Sequence, residues 1–270
     1  NSKLYLFKSL IKKKGTIITD ASIPQFKFLK KIAYQKKLKL LTTYNPNSDL
    51  ELVSHKYHND QQIIKLKNKK HSVEIKFDLI GKIQIKNILM AMLAAIESGL
   101  DLAAMAKTLN KIKPIEGRIE NIGKLRNNSK VILDYAHTPD ALETVLINIK
   151  EQFQHSKIRL LFGCGGDRDK KKRSKMGFIA SKLADVIYLT DDNPRSENPA
   201  KIRNDIKKGI KNKKIIEISN RKSAINNCVN DLKTGEIAVI AGKGHEKTQE
   251  YDHKKIYFSD RKEILNSINI

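Results

Sequence analysis

The stretch Val131-Ile132-Leu133-Asp134-Tyr135-Ala136-His137-Thr138-Pro139-Asp140 changes period in its middle. Its first half is a continuous apolar run rich in β-branched residues, the pattern of a strand covered on both faces. Thr138 can accept a backbone N–H as a helix cap, and Pro139 lacks the N–H that the first helical position leaves unused. These residues predict a strand over 131–136 that passes directly into a helix from 138 to about 153. The same unit recurs downstream. Strands over 158–163, 186–190, 215–219 and 237–242 alternate with helices near 174–183, 199–210 and 221–232. A short strand over 255–258 and a helix near 260–268 close the chain. Apolar strands alternating with amphipathic helices build a parallel, doubly wound sheet, so the fold class is α/β. In such sheets ligands sit beyond the carboxyl ends of the strands.

Upstream the periodicity differs. Strands are expected over 16–19, after Gly15, and over 37–44. Residues 50–80 alternate apolar and polar side chains, as in Val73-Glu74-Ile75-Lys76-Phe77, which reads as half-buried strands. Ile85, Ile88, Leu89, Met92 and Ile96 recur at helical spacing over 84–98, with Gly99 as a stop. Asp101 is placed to cap a second helix running to about Leu109. Pro114 and Gly117 mark a boundary, dividing residues 1–115 from 116–270.

A length of 270 residues suits about two domains. No apolar run approaches the ~18 residues of a membrane span. Cys164 and Cys228 are too few for a disulfide framework or a cysteine zinc site, and they suit a reducing compartment. The chain opens Asn1-Ser2-Lys3 without an initiator Met, as a piece of a longer protein would.

The net charge is +24, from 53 Lys+Arg against 29 Asp+Glu. Lys, Ile and Asn together supply 101 residues, and all three have A/T-rich codons, so compositional bias alone produces much of this charge. The excess is spread along the chain, Trp is absent and only 6% of residues are aromatic, which argues against a nucleic-acid reader with stacking platforms. A solvated surface that draws in anionic small molecules fits better. Only nine of the basic residues are Arg, none before Arg118. Arg offers a rigid fork for carboxylate or phosphate that Lys lacks, so Arg118, Arg168 and Arg195, each inside an unusual local sequence, stand out.

Four such sequences follow expected strands. Asp134 and His137 would lie at the mouth of the sheet, near a nucleotide or metal, unless the segment serves only to cap a helix. Gly163-Cys164-Gly165-Gly166-Asp167-Arg168-Asp169 permits positive φ and close backbone approach, and its charges could cradle an anion. A flexible surface loop is the competing reading, and the segment does not match the Walker pattern. In Asp191-Asp192-Asn193-Pro194-Arg195, Pro194 holds Asn193 extended, and Arg195 projects with two carboxylates nearby, a receptor for a zwitterion or else an ordinary Asx turn. Ala241-Gly242-Lys243-Gly244-His245-Glu246 reads as a turn or a site. Cys164 is expected to be a small packed residue rather than a nucleophile.

Taken together and in order, these segments resemble the Mur ligase superfamily, closest to its MurE type, which adds the third peptide residue to the UDP-N-acetylmuramoyl dipeptide of cell-wall synthesis. Gly117-Arg118-Ile119-Glu120 resembles the family's domain-junction GRxE, and Ser259-Asp260-Arg261 its near-terminal SDR. The resemblance is clear over 81–270 and loose over 1–80. It implies that residues 116–270 are the Rossmann-like, amino-acid-binding domain and residues 1–115 the tail of the central ATPase domain. A UDP-sugar domain and a GTxGKT phosphate loop would precede them, and without that loop these residues would have little activity alone.

The resemblance also implies ATP and Mg2+ as cofactors. Lys3 would be the carbamylated lysine that helps organise magnesium. Asn87 would approach the nucleotide base, with Gln84 replacing the first Asn of GxxNxxN. Arg118, Asp134 and His137 would lie on the ATP side, His137 as a catalytic group. DNPR is the family's signature for meso-diaminopimelate. Arg168, Asn193, Arg195, Gly242 and Glu246 would contact that amino acid, with Asp192 and Pro194 in the same motif. The Arg pair suits its carboxylates and Glu246 its distal ammonium. The implied enzyme is a cytoplasmic bacterial monomer acting on two small-molecule substrates, without nucleic acid or membrane partners. Another Mur-type or folylpolyglutamate-type ligase, or a non-catalytic binding module, are the rival readings.

Overall fold

The computed structural model describes residues 2–58, 60–125 and 127–268, apart from the side chains of Ser2, Lys3 and Lys124. The chain divides into two compact units, residues 1–113 and 114–270. No helix among the described residues is long and apolar enough to cross a membrane.

The first unit begins with helix α1 (Ser2–Tyr5) and a π-helical turn over Leu6–Leu10. Then come β1 (Thr16–Asp20), α2 (Phe26–Gln35), β2 (Lys39–Tyr44), β3 (Leu50–His58), β4 (Gln61–Lys67), β5 (Ser72–Phe77), α3 (Lys82–Glu97) and α4 (Leu102–Ala106). The strands form one sheet in chain order, parallel from β1 to β3 and antiparallel from β3 to β5. Because strand side chains alternate, Ile17 packs with Ile32 and Ala33 of α2, while its neighbour Ile18 joins the opposite core. That larger core sets Ile85, Leu89 and Met92 of α3 against Leu50, Ile64, Leu66 and Phe77. Asp101 caps α4 by accepting from the Ala104 amide at 2.9 Å. The helix ends at Ala106, short of the expected Leu109, and a 3-10 turn over Leu109–Lys111 takes its place.

The second unit holds β6 (Glu120–Lys124), β7 (Lys130–Asp134), α5 (Pro139–Gln152), β8 (Ile158–Phe162), α6 (Lys171–Leu183), β9 (Val186–Leu189) and α7 (Pro199–Lys207). β10 (Lys214–Glu217), α8 (Arg221–Asn230), β11 (Ile237–Ala241), β12 (Thr248–Tyr251), β13 (Lys254–Tyr257) and α9 (Asp260–Ile268) complete it. Its sheet runs β10-β9-β8-β11-β7-β6, parallel except for β6, which pairs antiparallel with β7. The short strand expected over 255–258 is β13, whereas β6 and β12 depart from the strict alternation expected. Both are short and polar, so neither carries the apolar run by which a buried strand is recognised. Three of the four inner strands, β7, β8 and β11, are buried at every residue, as continuous apolar runs require. Val131, Leu133, Leu161 and Ile240 pack against α8 and α9, and the intervening Ile132, Leu160 and Val239 are buried on the opposite face.

Candidate active site

Loops leaving the carboxyl ends of β7, β8, β9 and β11 converge, because these strands are neighbours in the order β9-β8-β11-β7. They line a cleft of about 490 Å³. Seven of the expected site residues border it: His137, Arg168, Asp192, Asn193, Arg195, Gly242 and Glu246. Guanidinium groups and carboxylates thus share one wall system, as a zwitterionic ligand requires.

Pro194 supports the cleft from behind. It is buried, and its carbonyl oxygen packs on the glycine loop, where a Cβ on Gly166 would stand 1.9 Å away. A Cβ on Gly163 would lie 2.3 Å from the Thr190 carbonyl oxygen. Gly163, Gly165 and Gly166 are all absent from the positive-φ region, against expectation. The loop needs glycine there for close approach, and the left-handed residue is Asp167 at φ 53. Asp167 accepts from the Ser196 hydroxyl at 2.7 Å, and the Gly166 amide donates to the Asn193 carbonyl at 2.9 Å, which ties the two loops together.

Arg195 lies at φ 53, donates through Nη1 to the Gly166 carbonyl at 2.7 Å and pairs through Nε with Glu250 at 3.2 Å. The expectation that Asp191 and Asp192 both flank it is corrected for Asp191. That carboxylate turns away to Arg203 and accepts from the Tyr251 hydroxyl at 3.2 Å, and burial pushes its carboxyl up against the pull of Arg203. Arg168 is exposed on the cleft rim and donates to the Asp167 carbonyl at 3.3 Å.

Asn193 and Glu246 are held in one network with Lys243, which lies in the expected turn but is not among the expected site residues. The Lys243 ammonium is 3.0 Å from both Asn193 Oδ1 and Glu246 Oε2. Asn193 Nδ2 donates to the same Glu246 oxygen at 3.2 Å, and the Tyr135 hydroxyl reaches Oε1 at 3.4 Å. Burial pushes the Glu246 carboxyl up, but Lys243, Asn193 and Tyr135 outweigh it and hold the group below its usual range.

The residues expected beside the nucleotide behave differently. Both Asp134 oxygens are taken by backbone amides, of Ile119 and Ala136, each at 2.7 Å, so this buried carboxylate braces the 117–120 turn. Burial pushes it above its ordinary value despite those amides. Glu120 seals the same turn by accepting from the Gly117 amide at 2.8 Å. Arg118 stacks over the Tyr135 ring at 4.8 Å. His137 is exposed, with Nδ1 2.9 Å from the Tyr135 carbonyl. In the first unit Asn87 is exposed on the second turn of α3 and donates to Gln84 at 3.4 Å. The side chain of Lys3 lies outside the described residues. No group of three His, Cys, Asp or Glu side chains among the described residues is placed to hold a metal ion. Cys164 is buried beside Met176, and burial pushes its thiol up to about 12, consistent with a packing role.

Comparison with known proteins adds to this geometry. A family model described as "Mur ligase, glutamate ligase domain" matches residues 117–244, and one described as "Mur ligase middle domain" matches residues 1–95. The UDP-N-acetylmuramoyl-L-alanyl-D-glutamate--2,6-diaminopimelate ligase of Rickettsia montanensis is 36% identical over 270 residues, all of this chain and 55% of its own length. The protein of the same name from Chelativorans sp. (strain BNC1) is 37% identical over 267 residues, 99% of this chain and 55% of its own length. A solved structure of a ligase with that name superposes with a TM-score of 0.69 at 31% identity, covering 99% of this chain and 55% of the other. Folylpolyglutamate synthase from Thermotoga maritima shares the fold, with a TM-score of 0.67 at 21% identity, over 87% of this chain and 53% of its own. The chain spans about half the length of the curated relatives it matches.

Proposed function

The chain belongs to the Mur ligase family, and on that premise we propose that it forms part of an ATP-dependent ligase that joins meso-diaminopimelate to UDP-N-acetylmuramoyl-L-alanyl-D-glutamate in peptidoglycan precursor synthesis. The observation that carries this reading is the cleft at the strand ends, where Arg168 and Arg195 face the same space as Asp192 and Glu246. Diaminopimelate has two carboxylates and two ammonium groups. L-Lysine lacks one carboxylate and would leave a guanidinium without its charge-assisted partner.

In the proposed reaction the D-glutamyl carboxylate takes the γ-phosphoryl group of ATP, releasing ADP. An amine of diaminopimelate attacks the acyl carbon, phosphate leaves, and the amine gives up a proton as the amide forms. The residues of the cleft orient the attacking amine, and orientation is worth a large share of the barrier in such a step. Asn87 and Arg118 are the candidates for nucleotide contact, and both lie exposed or stacked rather than buried in ion pairs. Magnesium would neutralise phosphoryl charge when bound. Lys3, through carbamylation, is the chain's candidate link to it.

The test is an amino-acid panel with the ligase that contains this chain. Meso-diaminopimelate should exceed L-lysine in kcat/KM on the order of 10³-fold or more, as expected where a site's polar groups would be left unpaired. Arg195→Ala should abolish that preference while leaving the KM for ATP nearly unchanged. Equal use of lysine, or equal loss of both ligands, would refute the reading.

A further inference from the structure

Residues 249–252 of the β12–β13 hairpin are bonded one after another to the Asp191–Arg195 turn. The buried Gln249 side chain donates to the Asp192 carbonyl at 2.8 Å, and the Glu250 amide donates to Asn193 Oδ1 at 3.0 Å. The Tyr251 hydroxyl donates to Asp191 at 3.2 Å. Two backbone bonds then take hold of Arg195 itself. Its amide donates to the Glu250 carbonyl at 3.1 Å, and its carbonyl accepts from the Asp252 amide at 2.7 Å. A two-stranded hairpin is only marginally stable alone, and β13 is exposed at every residue, so the form of this one depends on what it grips.

Three left-handed residues that are not glycine meet at this contact. Arg195 has φ 53, and Asp252 and His253 have φ 43 and φ 60. The latter two form the turn between β12 and β13, where Tyr251 faces Lys254, and a two-residue hairpin turn favours positive φ. Such conformations cost free energy and persist where the surroundings over-determine them, most often at functional positions. Here the backbone bonds between Arg195 and the hairpin supply that constraint.

The Arg195 guanidinium is held at two of its nitrogens, by the Gly166 carbonyl on Nη1 at 2.7 Å and by Glu250 Oε2 on Nε at 3.2 Å. Both members of the Arg195–Glu250 pair are partly exposed, and an ion pair of that kind adds little to fold stability. Its effect on direction is larger. A free arginine side chain has many rotamers to lose on binding, and these anchors remove them beforehand. They use one donor on Nη1 and the one on Nε, and the guanidinium keeps further N–H groups for a carboxylate in the cleft that Arg195 borders.

We propose that Glu250 is a positioning residue for carboxylate recognition: the β12–β13 hairpin sets the backbone of Arg195, and the Glu250 carboxylate anchors Nε so that the guanidinium is aimed before the ligand arrives. This rests on the reading that Arg195 meets the carboxylate by which diaminopimelate differs from lysine.

The preference for meso-diaminopimelate over L-lysine in the ligase that contains this chain tests it, because a ratio of two kcat/KM values does not depend on the folded fraction. Glu250→Ala should cut the preference about tenfold, the loss expected for a misaimed charge-assisted contact, through a higher KM for diaminopimelate and with the KM for ATP within about twofold. Glu250→Gln, whose amide oxygen can still accept from Nε, should stay nearer to the wild type than to Glu250→Ala. An unchanged preference in Glu250→Ala overturns the proposal, because the pair is then structural only. A raised preference overturns it as well, because Glu250 then competes with the ligand for Arg195. So does a glutamine variant no better than the alanine one. Should Glu250→Ala fail to fold, Glu250→Thr takes its place, since threonine favours a strand and is too short to reach Nε. Arg195→Ala separates the two readings. If it abolishes the preference and Glu250→Ala leaves it unchanged, only the anchor fails. If Arg195→Ala also leaves it unchanged, the substrate reading fails and the anchor with it.

Discussion

Gly166 shows how closely one residue can be fixed by its neighbour. Its φ is ordinary, but the Pro194 carbonyl oxygen occupies the space a methyl group would need. Gly166→Ala must displace the backbone of the Asn193–Arg195 turn. It should cost about 1–3 kcal/mol, as overpacking usually does, read from the denaturant midpoint, and it should weaken diaminopimelate use as well. The cysteines present the opposite case, where inertness is expected. Burial pushes Cys164 up to about 12 and raises Cys228 as well, so neither carries thiolate at pH 8. Neither should react with a disulfide reagent until the protein is unfolded, and rapid labelling of the native chain would show that the cores open readily.

At the scale of elements, ion pairs tie the sheet together. Arg159 of β8 holds Glu236, beside the start of β11, at 2.6 Å, and Glu217 of β10 pairs with Arg203 and Lys207 of α7, each at 2.7 Å. Burial pushes Glu236 up, but Arg159 outweighs it and leaves the carboxyl below its ordinary 4.5. Lys207 and Arg203 lower Glu217 in the same way. A carboxyl depressed on folding contributes stability above its unfolded value and loses it as pH falls through the folded one. The urea midpoint should therefore hold level from pH 7 to about 5 and fall below about 4.5, with a smaller fall in Glu236→Gln. Asp134 and Asp191, raised by burial, oppose this and make the acid limb shallower. A midpoint that rises on acidification would contradict the assignment. Helix α8 offers a simpler test: Asn220 caps it by accepting from the Ser223 amide at 2.9 Å. Asn220→Ala should cost about 1 kcal/mol in the same measurement.

At the scale of the molecule, the two units have separate cores. Ile85, Leu89 and Phe77 belong to one, and Val131, Ile240 and Val229 to the other. Residues 114–270 produced alone should unfold cooperatively, with the near-ultraviolet and far-ultraviolet signals coincident. Non-coincident transitions would mean that this unit needs the first to complete its packing. The +24 charge belongs to the same scale. It predicts weak DNA binding without sequence preference that fades between 50 and about 200 mM salt. Sequence-selective binding that survives that salt would reopen the nucleic-acid reading.

The sequence by itself determined the α/β fold of the second unit, because apolar runs such as Val131–Leu133 alternate with amphipathic stretches, the first of them opened by the cap at Thr138. It also marked the loops that line the cleft, since ligand loops follow strand ends and each carried an unusual cluster of Gly, Pro and charge. Only the tertiary structure decided what each charged group faces. Asp191 and Asp192 are adjacent and identical in type, yet one is spent on Arg203 and the other borders the cleft. Asp134 looked like a ligand and instead braces two amides. Lys243 stood in a segment that read as a turn or a site, and its buried ammonium pairs with Glu246. Local periodicity fixes where a strand ends, whereas the partner of a side chain depends on loops brought together from distant parts of the chain, and sequence spacing carries no record of that meeting.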